Sequence, residues 1–123
     1  MMLIETKGHR ILILDRSYLI TRVKQAIELM SFAMNIPGSS AMVIYSESLP
    51  GDFFDLKTCL AGEMLQKFSL YGMRLAIVGS FEGYNSSVLQ AFIRECNRGR
   101  LVFWKRSLKD ALEVLCQDQG LAY

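Results

Sequence analysis

Met42-Val43-Ile44-Tyr45, then Asp52-Phe53-Phe54-Asp55-Leu56-Lys57-Thr58-Cys59-Leu60, then Leu75-Ala76-Ile77-Val78-Gly79 is the stretch whose reading decides the fold. Its outer pieces are short, unbroken apolar runs with no polar face, and each predicts a strand buried on both sides. Between them Leu56, Leu60, Met64 and Phe68 recur every four residues, which predicts one continuous helix over about 52–71, stopped by Gly72. A strand, a helix and a strand in that order make a right-handed crossover between parallel strands.

The same alternation extends both ways. Upstream, Met2 to Thr6 and the apolar run Ile11 to Leu14 flank Lys7-Gly8 and predict an opening hairpin. Thr21 then stands as the cap of a helix carrying Val23, Ala26, Ile27, Met30, Ala33 and Met34, closed by Pro37-Gly38. Downstream, Ser87 with Gln90 has the form of a capping box ahead of Val88, Leu89, Phe92, Ile93 and Cys96. Leu101 to Trp104 reads as the last strand, and Ser107 caps a final helix that frays toward Gly120. The expected fold is α/β: a single five-stranded mixed sheet, an N-terminal hairpin then parallel strands, flanked by four helices over one domain of residues 1–123.

Composition limits the function classes. The chain is 51% hydrophobic and 21% charged with net charge +2, so it carries a full core and no general field toward nucleic acid or acidic lipid. No apolar run approaches the roughly 20 residues of a membrane helix, and Met1-Met2-Leu3-Ile4-Glu5 lacks the basic head of a signal peptide, so a cytoplasmic protein is expected. Cys59, Cys96 and Cys116 are widely spaced on helical patterns and read as buried small hydrophobes. One histidine, His9, lies in or beside a turn with no ligand at metal spacing. No metal, cofactor or nucleophile–base pair is therefore expected.

In open α/β sheets, sites gather outside the carboxyl ends of the parallel strands. That rim holds Asp15, Ser46, Glu47, Ser48, Gly79, Ser80, Phe81 and Glu82. On a continuous second helix, Asp55, Cys59, Gly62 and Gln66 would line one face beside Thr58 and Glu63. Gly62 inside a helix implies a close approach to its backbone, by a neighbouring helix, a second subunit or a ligand. Asp52, Asp55 and Glu63 read as ordinary helix-start carboxylates, with a hard-metal or acid–base cluster as the sharper alternative. Phe53 or Phe54, if exposed, would supply an aromatic anchor. The basic residues from Arg94 to Arg106, interleaved with Phe103 and Trp104, are better explained as solvated flanks of a strand than as a nucleic-acid surface.

The string Asp52-Phe53-Phe54-Asp55-Leu56-Lys57-Thr58, Ala61-Gly62-Glu63, Leu65-Gln66-Lys67-Phe68, Leu75 to Gly79, then Phe81, Tyr84, Ser86, Phe92-Ile93, Glu95, Asn97 and Gly99 resembles an uncharacterised bacterial family, domain of unknown function 4180. The resemblance runs over nearly the whole chain and is strongest from Asp52 to Gly99. That family has no assigned activity. The element order also looks like the STAS domain, the anti-sigma-factor antagonist fold, and Ser107-Leu108-Lys109-Asp110-Ala111-Leu112 is similar to the final-helix pattern of such domains. Its Asp-Ser-Ser-Gly-type phosphorylation segment is replaced here by Ser46-Glu47-Ser48 and Asp55 to Thr58.

Two function classes follow. The first is a non-catalytic interaction or regulatory module of STAS-like type, with a protein partner, a second copy of the chain included, and with no nucleic acid or membrane. The second is a small enzyme or ligand binder using Asp55, Thr58, Glu63 and the loop Gly79 to Phe81.

Overall fold

A computed structural model describes residues 1–117. Strands β1 (Met2–Thr6) and β2 (His9–Ile13) form the opening hairpin. Its two-residue turn places Lys7 and Gly8 at φ 49° and 79°, the left-handed pair whose twist matches the flanking strands. The chain continues through α1 (Val23–Met34), β3 (Ser39–Tyr45), α2 (Gly51–Phe54), α3 (Leu60–Tyr71), β4 (Arg74–Val78), α4 (Ser87–Arg98), β5 (Val102–Lys105) and α5 (Leu108–Leu115). The five strands make one sheet in the order β1-β2-β3-β4-β5, antiparallel between β1 and β2 and parallel throughout the rest.

Every crossover after β2 steps one strand in the same direction, so right-handedness carries all the connecting helices to one face. There Leu12, Met42, Ile44, Leu75, Ile77 and Trp104 pack against Met30 of α1, Phe53 of α2, Met64 and Phe68 of α3, and Leu89 of α4. Ile44 and Ile77 sit in the interior, as strands buried on both faces require. The opposite face, with Ile11, Ile13, Ala41, Val43, Ala76, Val78 and Phe103, meets Ala111 and Leu115 of α5. At 1.5 Å per residue, this eight-residue helix spans only about 12 Å.

Arg74 moors the end of α5. Its guanidinium donates to the carbonyls of Leu115 at 2.7 Å, Val114 at 3.1 Å and Arg100 at 3.1 Å. A cation there satisfies the Leu115 carbonyl, adds a second donor at the Val114 carbonyl, which also accepts from the Gln117 N–H, and faces the negative end of the helix dipole. Burial lowers the pKa of Arg74 from its ordinary value.

The second helical segment departs from the sequence reading. In place of one helix over 52–71, α2 ends at Phe54, a 3-10 turn covers Leu56–Thr58, and Cys59 adopts φ 65° before α3 begins. The described residues thus form five α-helices where four were expected. The side chains of Asp55 and Thr58 make the break. Asp55 accepts from the Lys57 N–H at 3.2 Å, and the Thr58 hydroxyl donates to the Asp52 and Asp55 carbonyls at 2.6 and 2.8 Å. Such local bonds compete with the helical ladder.

Two caps shift by one residue. The N-cap of α1 is Arg22, with Gln25 accepting from the backbone N–H groups of Thr21 and Arg22. The N-cap of α4 is Ser86, whose hydroxyl accepts from the Leu89 N–H. Ser107 caps α5 and Gly72 stops α3, as read from the sequence. The expected fraying toward Gly120 lies outside the described residues. No helix among them is long and apolar enough to cross a membrane.

Candidate functional site

The carboxyl ends of β2, β3, β4 and β5 form a rim built from the four segments that follow them. At its centre Tyr45 and Val78 are register partners, so Ser46 and Gly79 emerge side by side. A side chain on Gly79 would run into the Ser46 hydroxyl, approach its Cβ to 2.7 Å and press the Phe81 ring at 3.3 Å. Glycine is therefore a spatial requirement at that position. On one flank, Arg16 pairs with Glu47 at 3.2 Å and lies over the Tyr45 ring, 3.9 Å from its centroid. On the other, Arg106 pairs with Glu82, and the Ser80 hydroxyl donates to Glu82 at 3.4 Å. The rim carries one exposed ion pair on each flank of a small-residue centre.

The remaining rim hydroxyls are structural. Ser48 is buried, donates to the carbonyls of Asp15 and Arg16, and its own carbonyl accepts from the Ile20 N–H at 2.7 Å. It ties the loop after β2 to the loop after β3. Thr58 is spent on the turn before α3. Ser46 donates to Glu47 at 3.3 Å.

Phe53 and Phe54 are buried, 1% and 6% exposed, so neither is an exposed anchor. Both belong to an aromatic cluster with Phe81, Tyr84 and Trp104. Phe54 stacks on Tyr84 with centroids 4.9 Å apart, and Phe81 meets Trp104 edge-on at 5.0 Å. This cluster fixes the loop after β4 against α2. Phe81 is buried within it, so that candidate too serves packing. The Trp104 indole N–H is buried without an oxygen or nitrogen partner among the described residues, and the Cys96 thiol lies against it. Burial pushes the Cys96 thiol above its ordinary pKa, with the Trp104 N–H pulling the other way.

The expected helix face of Asp55, Cys59, Gly62 and Gln66 does not form, because Asp55 and Cys59 precede α3. Cys59 is exposed in the link, correcting its reading as a buried helical residue. Gly62, Glu63 and Gln66 lie exposed on α3, and a Cβ at Gly62 would meet nothing within 4 Å. No neighbour among the described residues requires that glycine. Asp52, Asp55 and Glu63 remain exposed, and no group of three His, Cys, Asp or Glu among the described residues converges on a metal-sized site. His9 lies at the start of β2, at the opposite end of the sheet, with Nδ1 3.4 Å from the Ser40 hydroxyl.

Sequence reasoning missed Arg16 and Arg106. Arg16 was hidden behind Asp15, and Arg106 was absorbed into the basic flank of β5. The signal available was position, since each lies within three residues of a strand's carboxyl end.

A family model described as Domain of unknown function (DUF4180) matches residues 6–115. The chain belongs to this family. No curated protein and no solved structure matches it. In this DUF4180 chain, several polar positions of the string from Asp52 to Gly99 have structural duties. Asp55 and Thr58 shape the turn, Ser86 caps α4, and Asn97 binds the β5 backbone. Glu63 and Gln66 have no such duty among the described residues.

Proposed function

We propose that the chain is a cytoplasmic, non-catalytic protein-interaction or regulatory module of the STAS-like kind, and that it meets its partner at the carboxyl-end rim. One observation carries this reading: the rim presents Arg16–Glu47 and Arg106–Glu82 as exposed ion pairs on loops held rigid by Ser48 and by the aromatic cluster. Preformed charge of both signs on a rigid surface favours recognition of a complementary protein surface. The one imidazole lies at the far end of the sheet from these hydroxyls, so it cannot activate them. The test is a photo-cross-linking residue placed at Ser80 in the native host, with Lys24 on α1 as control. A discrete adduct at position 80 that disappears with Arg106→Glu supports the reading. Adducts of equal yield at both positions, or none at 80, sink it.

A ligand-binding reading has its own observation. A cleft of about 240 Å³ opens beside the rim, lined by Met2, Ile13, Asp15, Arg16 and Tyr45 among others. A thermal-shift screen of small metabolites, repeated on Tyr45→Ala, separates this reading from the first.

A further inference from the structure

The two edges of the sheet are treated differently. On β5 the ladder bonds Leu75 N–H to Leu101 C=O and Gly79 N–H to Lys105 C=O leave the Trp104 N–H and C=O facing outward. Both are taken by the side chain of Asn97, at 2.8 and 3.3 Å. An amide that occupies both groups of an edge residue blocks a further strand there.

On β1 no described residue takes the outward groups. The Leu14 N–H bonds to Val43 C=O, so alternation along β2 turns Leu12 and Arg10 toward β3 and Ile13, Ile11 and His9 toward β1. Their partners Met2, Ile4 and Thr6 therefore spend their backbone groups inward, and Leu3 and Glu5 present theirs outward. Among the described residues nothing bonds to those outward groups. The strand is regular, lacks proline and bulge, and carries exposed apolar side chains, Met2 at 59% and Leu3 at 43%. Among the described residues it has none of the usual edge protections except the Glu5 charge.

We propose that β1 pairs antiparallel with β1 of a second copy, joining two sheets into one of ten strands. A two-fold axis through Ile4, the central residue of β1, places all five residues of each strand in register. Leu3 then exchanges both backbone hydrogen bonds with Glu5 of the partner copy, and the symmetry repeats the exchange, so every outward group of Leu3 and Glu5 is satisfied. Charge excludes the axis through Glu5, which would set two carboxylates face to face, and extent of pairing favours Ile4 over Leu3, because only the axis through Ile4 pairs all five residues of β1 while setting Glu5 opposite leucine. Ile4 meets its own symmetry mate and continues the apolar floor that Ile4, Leu112 and Cys116 already line beside α5. The inference stands independently of the rim.

The experiment is light scattering on the eluting protein between roughly 1 µM and 1 mM, a range that covers ordinary association strengths. The expected mass is twice the 14.0 kDa of one chain. Leu3→Pro deletes one outward N–H, a site where an edge strand tolerates proline, and Leu3→Glu sets a second carboxylate directly opposite the Glu5 carboxylate of the partner copy. Each should return the mass to one chain with circular dichroism unchanged. Ile4→Cys, in a chain also carrying Cys59→Ser and Cys116→Ser, should form an intermolecular disulfide, because directly opposed residues at a non-hydrogen-bonded pair lie about 4.5 Å apart, within disulfide reach. A single-chain mass at every concentration overturns the proposal. So does a dimer that survives both Leu3 variants, or one that Ile4→Cys fails to cross-link.

Discussion

Asn97 reads the backbone of Trp104 with both ends of its amide: Oδ1 accepts the N–H and Nδ2 donates to the carbonyl. Replacing it with Asp keeps the acceptor and sets an oxygen against the Trp104 carbonyl, while Ala leaves both groups unmade. We expect Asn97→Ala to cost about 1–2 kcal/mol, the usual loss when part-buried hydrogen bonds are removed. Asn97→Asp should recover only part of that. Urea unfolding monitored by Trp104 fluorescence measures both. If the two variants match the parent in stability, the edge bond contributes nothing.

Gly79→Ala should destabilise the fold by roughly 1–3 kcal/mol, the range for overpacking a fitted site, because its Cβ would sit 2.7 Å from that of Ser46. Ser46→Gly on that background removes the obstacle and should restore part of the loss. Ser46→Ala keeps the offending carbon and should not. A double-mutant cycle showing no coupling between positions 46 and 79 would contradict this geometry.

Gly62→Ala, with open space around it on α3, should be neutral or stabilising by up to about 1 kcal/mol, the propensity difference in a helix interior. Its place in the first turn moderates the gain. Gly62→Gln should also fold, because no core contact is displaced. Loss of circular dichroism in either variant would mean that the glycine serves the interior after all.

The Cys96 thiol is held above its ordinary pKa by burial, so between the unfolded and folded values the unfolded chain releases a proton that the native state keeps. The stability this represents is fully present below the unfolded thiol pKa of about 8.5 and is lost as pH rises through the folded one. Stability should accordingly fall more steeply above pH 8.5 in the parent than in Cys96→Ala. Parallel slopes in denaturation midpoints measured from neutral to alkaline pH would refute the assignment.

The sheet was legible because strands buried on both faces, such as Met42–Tyr45 and Leu75–Val78, must be unbroken apolar runs, and a crossover between them has one hand. The break before α3 was not legible. Leu56 in the 3-10 turn still packs against the same core as Leu60, Met64 and Phe68, so the period of four passes across an interruption that only Asp55, Thr58 and the positive φ of Cys59 create. At the rim, chain position identified Ser46 and Gly79 as neighbours. It could not show that Ser48 and Thr58 were already committed to backbone carbonyls, or that adjacent Phe53 and Phe54 both turn inward, because those depend on how loops from different strands meet.

Because each strand lies beside its sequence neighbour, the sheet can grow one strand at a time in the order in which a ribosome releases the chain. Such near-sequential pairing keeps loop closures short and assembly fast. The same arrangement leaves one side bare until β5 has been made, since Ile11, Val43 and Ala76 wait for α5, which follows it, to cover them. A nascent or truncated chain ending before Leu108 would display that apolar sheet to any passing chaperone or aggregating neighbour. The helix after β5 therefore closes this face, and Arg74, already in place on β4, is the residue that receives it.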